Sequence, residues 1–199
     1  MIVVFDIGNV LLRWNPRYLY RKVFDDEERM ERFLATALGM DFVAYTDIVE
    51  DFAGAIEARV KDFPEFAQEL RMFDKRWIET LGGPIEENVA LLRRLRASGK
   101  QVYALSNFAH ETFALAERHH DFLSEFDHRV ISGHVGVVKP DARIYEILFE
   151  RVGRRPNELL FIDDSAANVR AAEALGMPAI HFGPGVDLEK ELVVRGALP

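Results

Sequence analysis

The sequence predicts a doubly wound α/β fold, a Rossmann-like parallel sheet with helices on both faces and a helical insertion near its start. Three observations carry the prediction: short apolar runs recur along the chain, helical segments separate them, and one long stretch after the first run breaks the alternation. The runs are residues 2–5, 101–105, 128–131, 159–162 and 178–181, each bounded by turn or polar residues, as expected of buried parallel strands. Helices are expected over 84–98, with Pro84 near the start and Gly99 after the end, over 109–119, over 141–152, and over 165–175, stopped by Gly176 and Pro178.

The stretch from about Asn15 to Gly83 offers amphipathic patterns at 17–24, 26–38, 47–60 and 64–81 and no convincing strand. The expected division is therefore an α/β core of residues 1–14 and 84–199 and a helical insertion of residues 15–83. Because the insertion enters just after the first strand's C-terminal edge, it is placed to close over a site there. Gly82-Gly83-Pro84 is the best candidate hinge.

A chain of 199 residues, 49% of them hydrophobic, can bury a full core. Its 25 Lys and Arg against 33 Asp and Glu give a net charge of −8, which argues against a nucleic-acid partner. The arginine groups Arg93, Arg94, Arg96 and Arg151, Arg154, Arg155 read as solvated helix faces. With no cysteine, disulfides, thiol nucleophiles and thiolate zinc sites are excluded together. No leader-like segment opens the chain, and no stretch approaches about 18 uninterrupted apolar residues, so a cytoplasmic protein without a membrane partner is expected. Nothing in the sequence reports the oligomeric state.

The informative polar residues fall at strand ends, the edge where open α/β sheets bind ligands. Asp6 follows Ile2-Val3-Val4-Phe5 and precedes Ile7-Gly8; Ser106-Asn107 follows the second run; Lys139-Pro140 follows Val137-Val138; and Asp163-Asp164-Ser165 follows the fourth run, with Asn168 beyond. Taken singly these are ordinary: an aspartate as turn former, Ser-Asn as a helix cap, a solvated lysine. The adjacent carboxylates of Asp163 and Asp164 repel each other and invite a hard cation such as Mg²⁺.

In that order, on those elements, the four groups resemble the motifs of the haloacid dehalogenase superfamily of hydrolases over essentially the whole chain. The segments Phe-Asp-Ile-Gly-Asn-Val-Leu, Leu-Ser-Asn, Lys-Pro-Asp-Ala-Arg-Ile-Tyr and Phe-Ile-Asp-Asp-Ser further resemble a bacterial branch that includes glucose 1-phosphate phosphatases. The resemblance implies that residues 15–83 form a C1 cap. It also implies a small phosphorylated substrate, with a sugar phosphate favoured, and an aspartyl-phosphate intermediate on Asp6. Mg²⁺ is then expected on the Asp6 carboxylate, the Gly8 carbonyl and Asp164, with Asp163 in its outer sphere or orienting Lys139. Lys139 neutralises the phosphoryl oxygens and Asp6, and Ser106 and Asn107 hydrogen-bond the transferring group.

One residue departs from the pattern. Phosphatases of this superfamily commonly carry an aspartate two positions after the nucleophile as general acid/base, and here that position is Gly8. The substrate then has a good leaving group, or a cap residue or water donates the proton, or the chemistry is not phosphate hydrolysis. Two alternatives follow: a 2-haloacid dehalogenase, in which Asp6 displaces halide without a proton donor or a metal, and a catalytically silent binding module. The paired Asp163-Asp164 opposes the dehalogenase, because it repels an anionic substrate.

Other residues are read more plainly. His119-His120 point in different directions and do not suggest a metal site; His134 reads as a solvent-facing turn residue, and Gly183-Pro184-Gly185 as a turn. Trp14 reads as a core anchor. Asn15, Tyr45 and Asp47 lie where they could touch a leaving group, and the sequence does not decide whether Phe42, Tyr45, Phe63 and Phe66 line a pocket or pack internally.

Overall fold

The computed structural model describes residues 1–198. Its strands are β1 (Ile2–Phe5), β2 (Leu12–Trp14), β3 (Leu81–Pro84), β4 (Val102–Ser106), β5 (His128–Ile131), β6 (Leu159–Asp163) and β7 (Ala179–His181). Helices α1 (Arg17–Tyr20), α2 (Glu27–Ala35), α3 (Met40–Thr46), α4 (Phe52–Asp62) and α5 (Ala67–Lys75) lie between β2 and β3. The remainder are α6 (Glu86–Ala97), α7 (His110–His119), α8 (Ser132–Val135), α9 (Ala142–Val152), α10 (Ala166–Ala174) and α11 (Leu188–Val194).

Five strands form one parallel sheet in the order β5-β4-β1-β6-β7. These are the five expected runs, displaced by no more than one residue at either end. They read as unbroken apolar runs because both faces of the sheet are covered. Val3, Phe5, Ala104, Leu160 and Ile162 face one apolar cluster with α6, α7 and α11, while Val4, Tyr103, Leu105 and Phe161 face a second with α9 and α10. Side chains alternate along each strand, so one run feeds both layers.

The chain steps from β1 to β4 to β5 in one direction, then returns past β1 to β6 and β7. Its direction therefore reverses between β1 and β6, opening a crevice at their C-terminal ends. Asp6 follows β1, Asp163 ends β6 and Ser106 ends β4, so three expected site residues meet at this switch point.

The insertion differs from expectation in two places. The helix expected over 47–60 begins only at Phe52, as α4, and α3 (Met40–Thr46) forms in a stretch where no helix was expected. The late start of α4 has a local cause: its N-cap is Asp51, whose carboxylate accepts the Gly54 N–H at 2.8 Å, while Asp47 is the C-cap of α3. The second difference is a short antiparallel ribbon, β2 with β3, at the root of the insertion. The expected hinge glycines lie inside it. At Gly82 a Cβ would come within 2.6 Å of the Tyr18 ring, so a side chain there would displace that ring.

The insertion packs through Tyr20, Phe33 and Phe66, with ring centroids 4.7 Å (Tyr20–Phe33) and 5.2 Å (Phe33–Phe66) apart, each contact contributing about 0.5–1.5 kcal/mol beyond area burial. Phe42 and Phe66 are thus internal, Phe63 is partly buried, and Tyr45 remains exposed. The same cluster continues without interruption into the sheet's first face. At that junction Trp77 meets Phe108 edge-on, 5.6 Å between centroids. Among the described residues no helix is long and apolar enough to cross a membrane.

Candidate active site

The turn after β1 aims Asp6 into the crevice. The Ile7 carbonyl accepts the N–H groups of Leu11 and Leu12, both at 2.9 Å, and Asn9 adopts φ 53°, a left-handed conformation that asparagine tolerates. The Asn9 side chain accepts the Trp14 N–H at 3.0 Å, and its amide faces the Asp164 carboxylate.

Asp6 is buried, and its Oδ1 accepts three hydrogen bonds: from its neighbour Ile7 N at 2.7 Å, from Ser106 Oγ at 2.6 Å and from Lys139 Nζ at 2.8 Å. Lys139 Nζ also donates to Asp163 Oδ2 at 2.7 Å. Burial pushes the Asp6 carboxyl up to about 7 against the pull of Lys139, with Asp163 adding repulsion. For Lys139 burial acts downward, but the two carboxylates outweigh it and the ammonium titrates above its ordinary range. The lysine, expected from the sequence to be solvated if it had no role, is buried.

Asp163 is wholly buried and satisfied by protein donors: Ser165 N at 2.7 Å and Asn168 Nδ2 at 3.0 Å on Oδ1, and Lys139 Nζ and Asn168 Nδ2 on Oδ2. Its geometry suits the orientation of Lys139 better than metal ligation. Asn168 is held in turn by its backbone, whose carbonyl accepts the buried Tyr145 hydroxyl at 2.9 Å. Asp164, by contrast, is part-exposed in the cleft. Burial and then repulsion from Asp163 raise its pKa, against the hydrogen bond from Asn9.

Asn107 does something the sequence did not reveal. Its Oδ1 accepts the Lys139 N–H at 2.8 Å and its Nδ2 donates to the Lys139 carbonyl at 3.1 Å, so the side chain clasps the lysine's backbone. A residue expected to hold phosphate thus fixes the backbone of Lys139.

Asp6, Asp163 and Asp164 each present an oxygen within 4.8 Å of the others, the one such cluster found among the described residues. Hard oxygens at this spacing could hold Mg²⁺, a cation that is usually bound through one or two carboxylates and keeps several waters. Above them opens a cleft of about 290 Å³, lined by Asp6, Gly8, Asn9, Ser106, Asn107, Lys139 and Asp164 below and by Trp14, Met40, Val43, Asp47, Trp77 and Phe108 around its sides. Trp14 therefore both packs on the core and lines the cleft. Tyr45 faces a separate shallow pocket. His134 packs against His110 and Phe113, away from the cleft, and His119 binds the Leu115 carbonyl of its own helix.

A family model for haloacid dehalogenase-like hydrolases matches residues 1–176. The chain belongs to that family. Among curated relatives, the haloacid dehalogenase-like chain is 34% identical over 188 residues to a sesquiterpene phosphatase, astK, of Aspergillus oryzae, covering 90% of this chain and 88% of the relative. It is 32% identical over 95 residues to (S)-2-haloacid dehalogenase H-109 of Pseudomonas putida, covering 48% of this chain and 42% of that enzyme. Among solved structures it resembles a HAD family enzyme from Bacteroides thetaiotaomicron in complex with magnesium and inorganic phosphate, with a TM-score of 0.74 at 20% identity over 96% of this chain and 98% of the other. That last likeness concerns the fold. The enzyme is a hydrolase of the haloacid dehalogenase-like family, and its relatives support a phosphatase.

Proposed function

We propose that the enzyme is a Mg²⁺-dependent phosphatase that transfers the phosphoryl group of a small phosphate ester to Asp6 and then hydrolyses the aspartyl-phosphate. The observation that carries this reading is the pairing of the Asp6–Lys139 contact, 2.8 Å, with a second, part-exposed carboxylate at Asp164 beside it. A buried carboxylate needs positive charge beside it to approach an anionic phosphate, and Lys139 supplies part of that charge. Mg²⁺ would be held by the carboxylates of Asp6 and Asp164 and the Gly8 carbonyl, and would supply the remaining neutralisation. Ser106, donating to Asp6, fixes the nucleophile's rotamer and is within reach of an incoming phosphoryl oxygen.

The dehalogenase reading is favoured by Gly8, since halide leaves without a proton. Against it stands Asp164, a carboxylate in the cleft without a basic side chain within salt-bridge distance among the described residues, which opposes a 2-haloacid's own carboxylate.

The leaving group faces Trp14, Met40, Val43, Trp77 and Phe108. The sugar phosphate expected from the motif resemblance would bring hydroxyls against Met40, Val43 and Phe108, which offer them no hydrogen bonds, at a cost for each unpaired group. This wall favours a phosphate ester of a compact, largely apolar alcohol, a chemistry in keeping with the Aspergillus relative's name.

The test is phosphate release from a panel spanning sugar phosphates, alkyl and prenyl phosphates and aryl phosphates, with Mg²⁺ and with EDTA, and with Asp6→Asn as control. Metal-dependent release that the substitution abolishes supports the phosphatase. Halide release from 2-haloacids in its place supports the dehalogenase.

A further inference from the structure

The phosphatase reading leaves a chemical gap at Gly8, where no side chain protonates the departing alcohol. We propose that Asp47, carried into the cleft from the C-terminal end of α3, is the general acid and base of this enzyme, replacing the acid missing from the turn after Asp6. The proposal rests on that reading of the site.

Three carboxylates line the cleft: Asp6, Asp164 and Asp47. Asp6 is the nucleophile and Asp164 belongs to the cation site, whereas Asp47 has no part in either. It makes no salt bridge among the described residues. Its backbone is tied to the core. The Asp47 carbonyl accepts the hydroxyl of Ser132, a wholly buried residue of α8, at 2.9 Å, so the end of α3 is tied to the core rather than loose above it. Its carboxylate faces the Ala109 N–H at the N-cap of α7. The charged groups acting on it across the cleft are Lys139 and Asp6.

Burial raises the Asp47 carboxyl to about 7; the Ala109 N–H and Lys139 pull it down and Asp6 adds to the rise. A carboxylic acid titrating near neutrality holds a proton to give and can take one back. In the first step Asp6 attacks phosphorus, the bond from phosphorus to the ester oxygen breaks, and the leaving alkoxide takes the Asp47 proton. In the second, water attacks the aspartyl-phosphate, Asp47 takes a proton from that water, the bond from phosphorus to Asp6 breaks, and phosphate leaves with Asp47 again protonated.

The test compares wild type with Asp47→Asn on an alkyl phosphate and on 4-nitrophenyl phosphate, in the full-length enzyme with Mg²⁺. With the alkyl ester the substitution should lower single-turnover alcohol release by about 10²–10⁴-fold. With the nitrophenyl ester, whose leaving group needs no proton, a burst of nitrophenolate should persist and phosphorylated Asp6 should accumulate, because the second step has lost its base. A structural role alone would lower both first steps together.

Gly8 supplies the rescue. A Cβ at that position meets nothing within 4 Å, so Gly8→Asp can restore an acid at the usual place and should recover alkyl ester turnover in the Asp47→Asn background. Should Asp47→Asn not fold, the leaving-group dependence of the wild type decides: a shallow dependence from nitrophenol to simple alcohols supports an internal acid, and a steep one overturns it. Equal loss on both esters, or no loss, overturns the role of Asp47 while leaving the phosphatase standing. Failure of the wild type to release phosphate from any ester overturns the phosphatase reading itself.

Discussion

The ammonium of Lys139 lies 2.7 Å from Oδ2 of Asp163, and neither side chain is more than 1% exposed. The same ammonium reaches Asp6, so one buried cation balances two buried carboxylates and removing it leaves both unpaired. Lys139→Met should cost about 3–5 kcal/mol of stability, read as a lowered urea midpoint, and reduce phosphate release to background. An unchanged midpoint would show that the carboxylates are not held charged by the lysine.

Asp163 and Asp164 are adjacent in sequence and differ in their surroundings. Asp163 is saturated by Lys139, Ser165 and Asn168, while Asp164 opens onto the cleft. Asp164→Asn should raise the Mg²⁺ concentration needed for half-maximal rate by about 10-fold or more, with the rate recovering at high Mg²⁺. Asp163→Asn should lower kcat without recovery, since its effect passes through Lys139. A Mg²⁺ titration of both variants checks this, and recovery of Asp163→Asn by metal would reverse the assignment.

Asp47 makes stability depend on pH. Its carboxyl titrates near 7 in the folded chain, against about 3.9 when unfolded. The folded state thus keeps a proton that the unfolded state releases between these values, and stability falls as pH rises from about 4 to about 7. Asp47→Asn does not titrate. Its stability relative to wild type should therefore grow over that window and level off above it, with a ceiling of about 4 kcal/mol. Urea melts at pH 5 and pH 8 measure the difference; a constant offset would contradict a raised Asp47.

Gly133 brings two core helices into backbone contact. A Cβ there would come within 2.4 Å of the His110 N and 2.8 Å of the Phe108 carbonyl oxygen, atoms that cannot rotate away. Gly133→Ala should destabilise the protein by about 1–3 kcal/mol and, by shifting the Ala109 N–H that faces Asp47, raise KM as well. Calorimetry with steady-state kinetics tests both.

The sheet was legible because its strands are buried on both faces, so Ile2-Val3-Val4-Phe5 and Leu159-Leu160-Phe161-Ile162 stand out as unbroken apolar runs. Asp6, Ser106 and Asp163-Asp164 stood out because they end such runs at one edge, whereas Lys139, expected at a strand end, lies in the loop between α8 and α9 and stood out through the Pro140 that follows it. The ribbon of β2 and β3 was not, since three- and four-residue strands containing Gly82-Gly83-Pro84 read as a turn. The start of α4 was misplaced because Asp47 and Asp51 are equally good caps in sequence, and only the Gly54 contact separates them. The Asn107 clasp on Lys139 joins residues 32 apart, and α11, seven residues capped by Asp187, was too short to stand out.

The most direct test of the account is a single turnover in H₂¹⁸O, with enzyme in excess over a phosphate ester and with Mg²⁺ present. If Asp6 attacks phosphorus and water then attacks the same atom, the heavy oxygen appears in the released phosphate and the Asp6 peptide stays unlabelled. Label in the Asp6 carboxylate, found with a 2-haloacid as substrate and accompanied by halide release, would mean that water attacks the carbonyl of an alkyl ester, and the enzyme would be a dehalogenase.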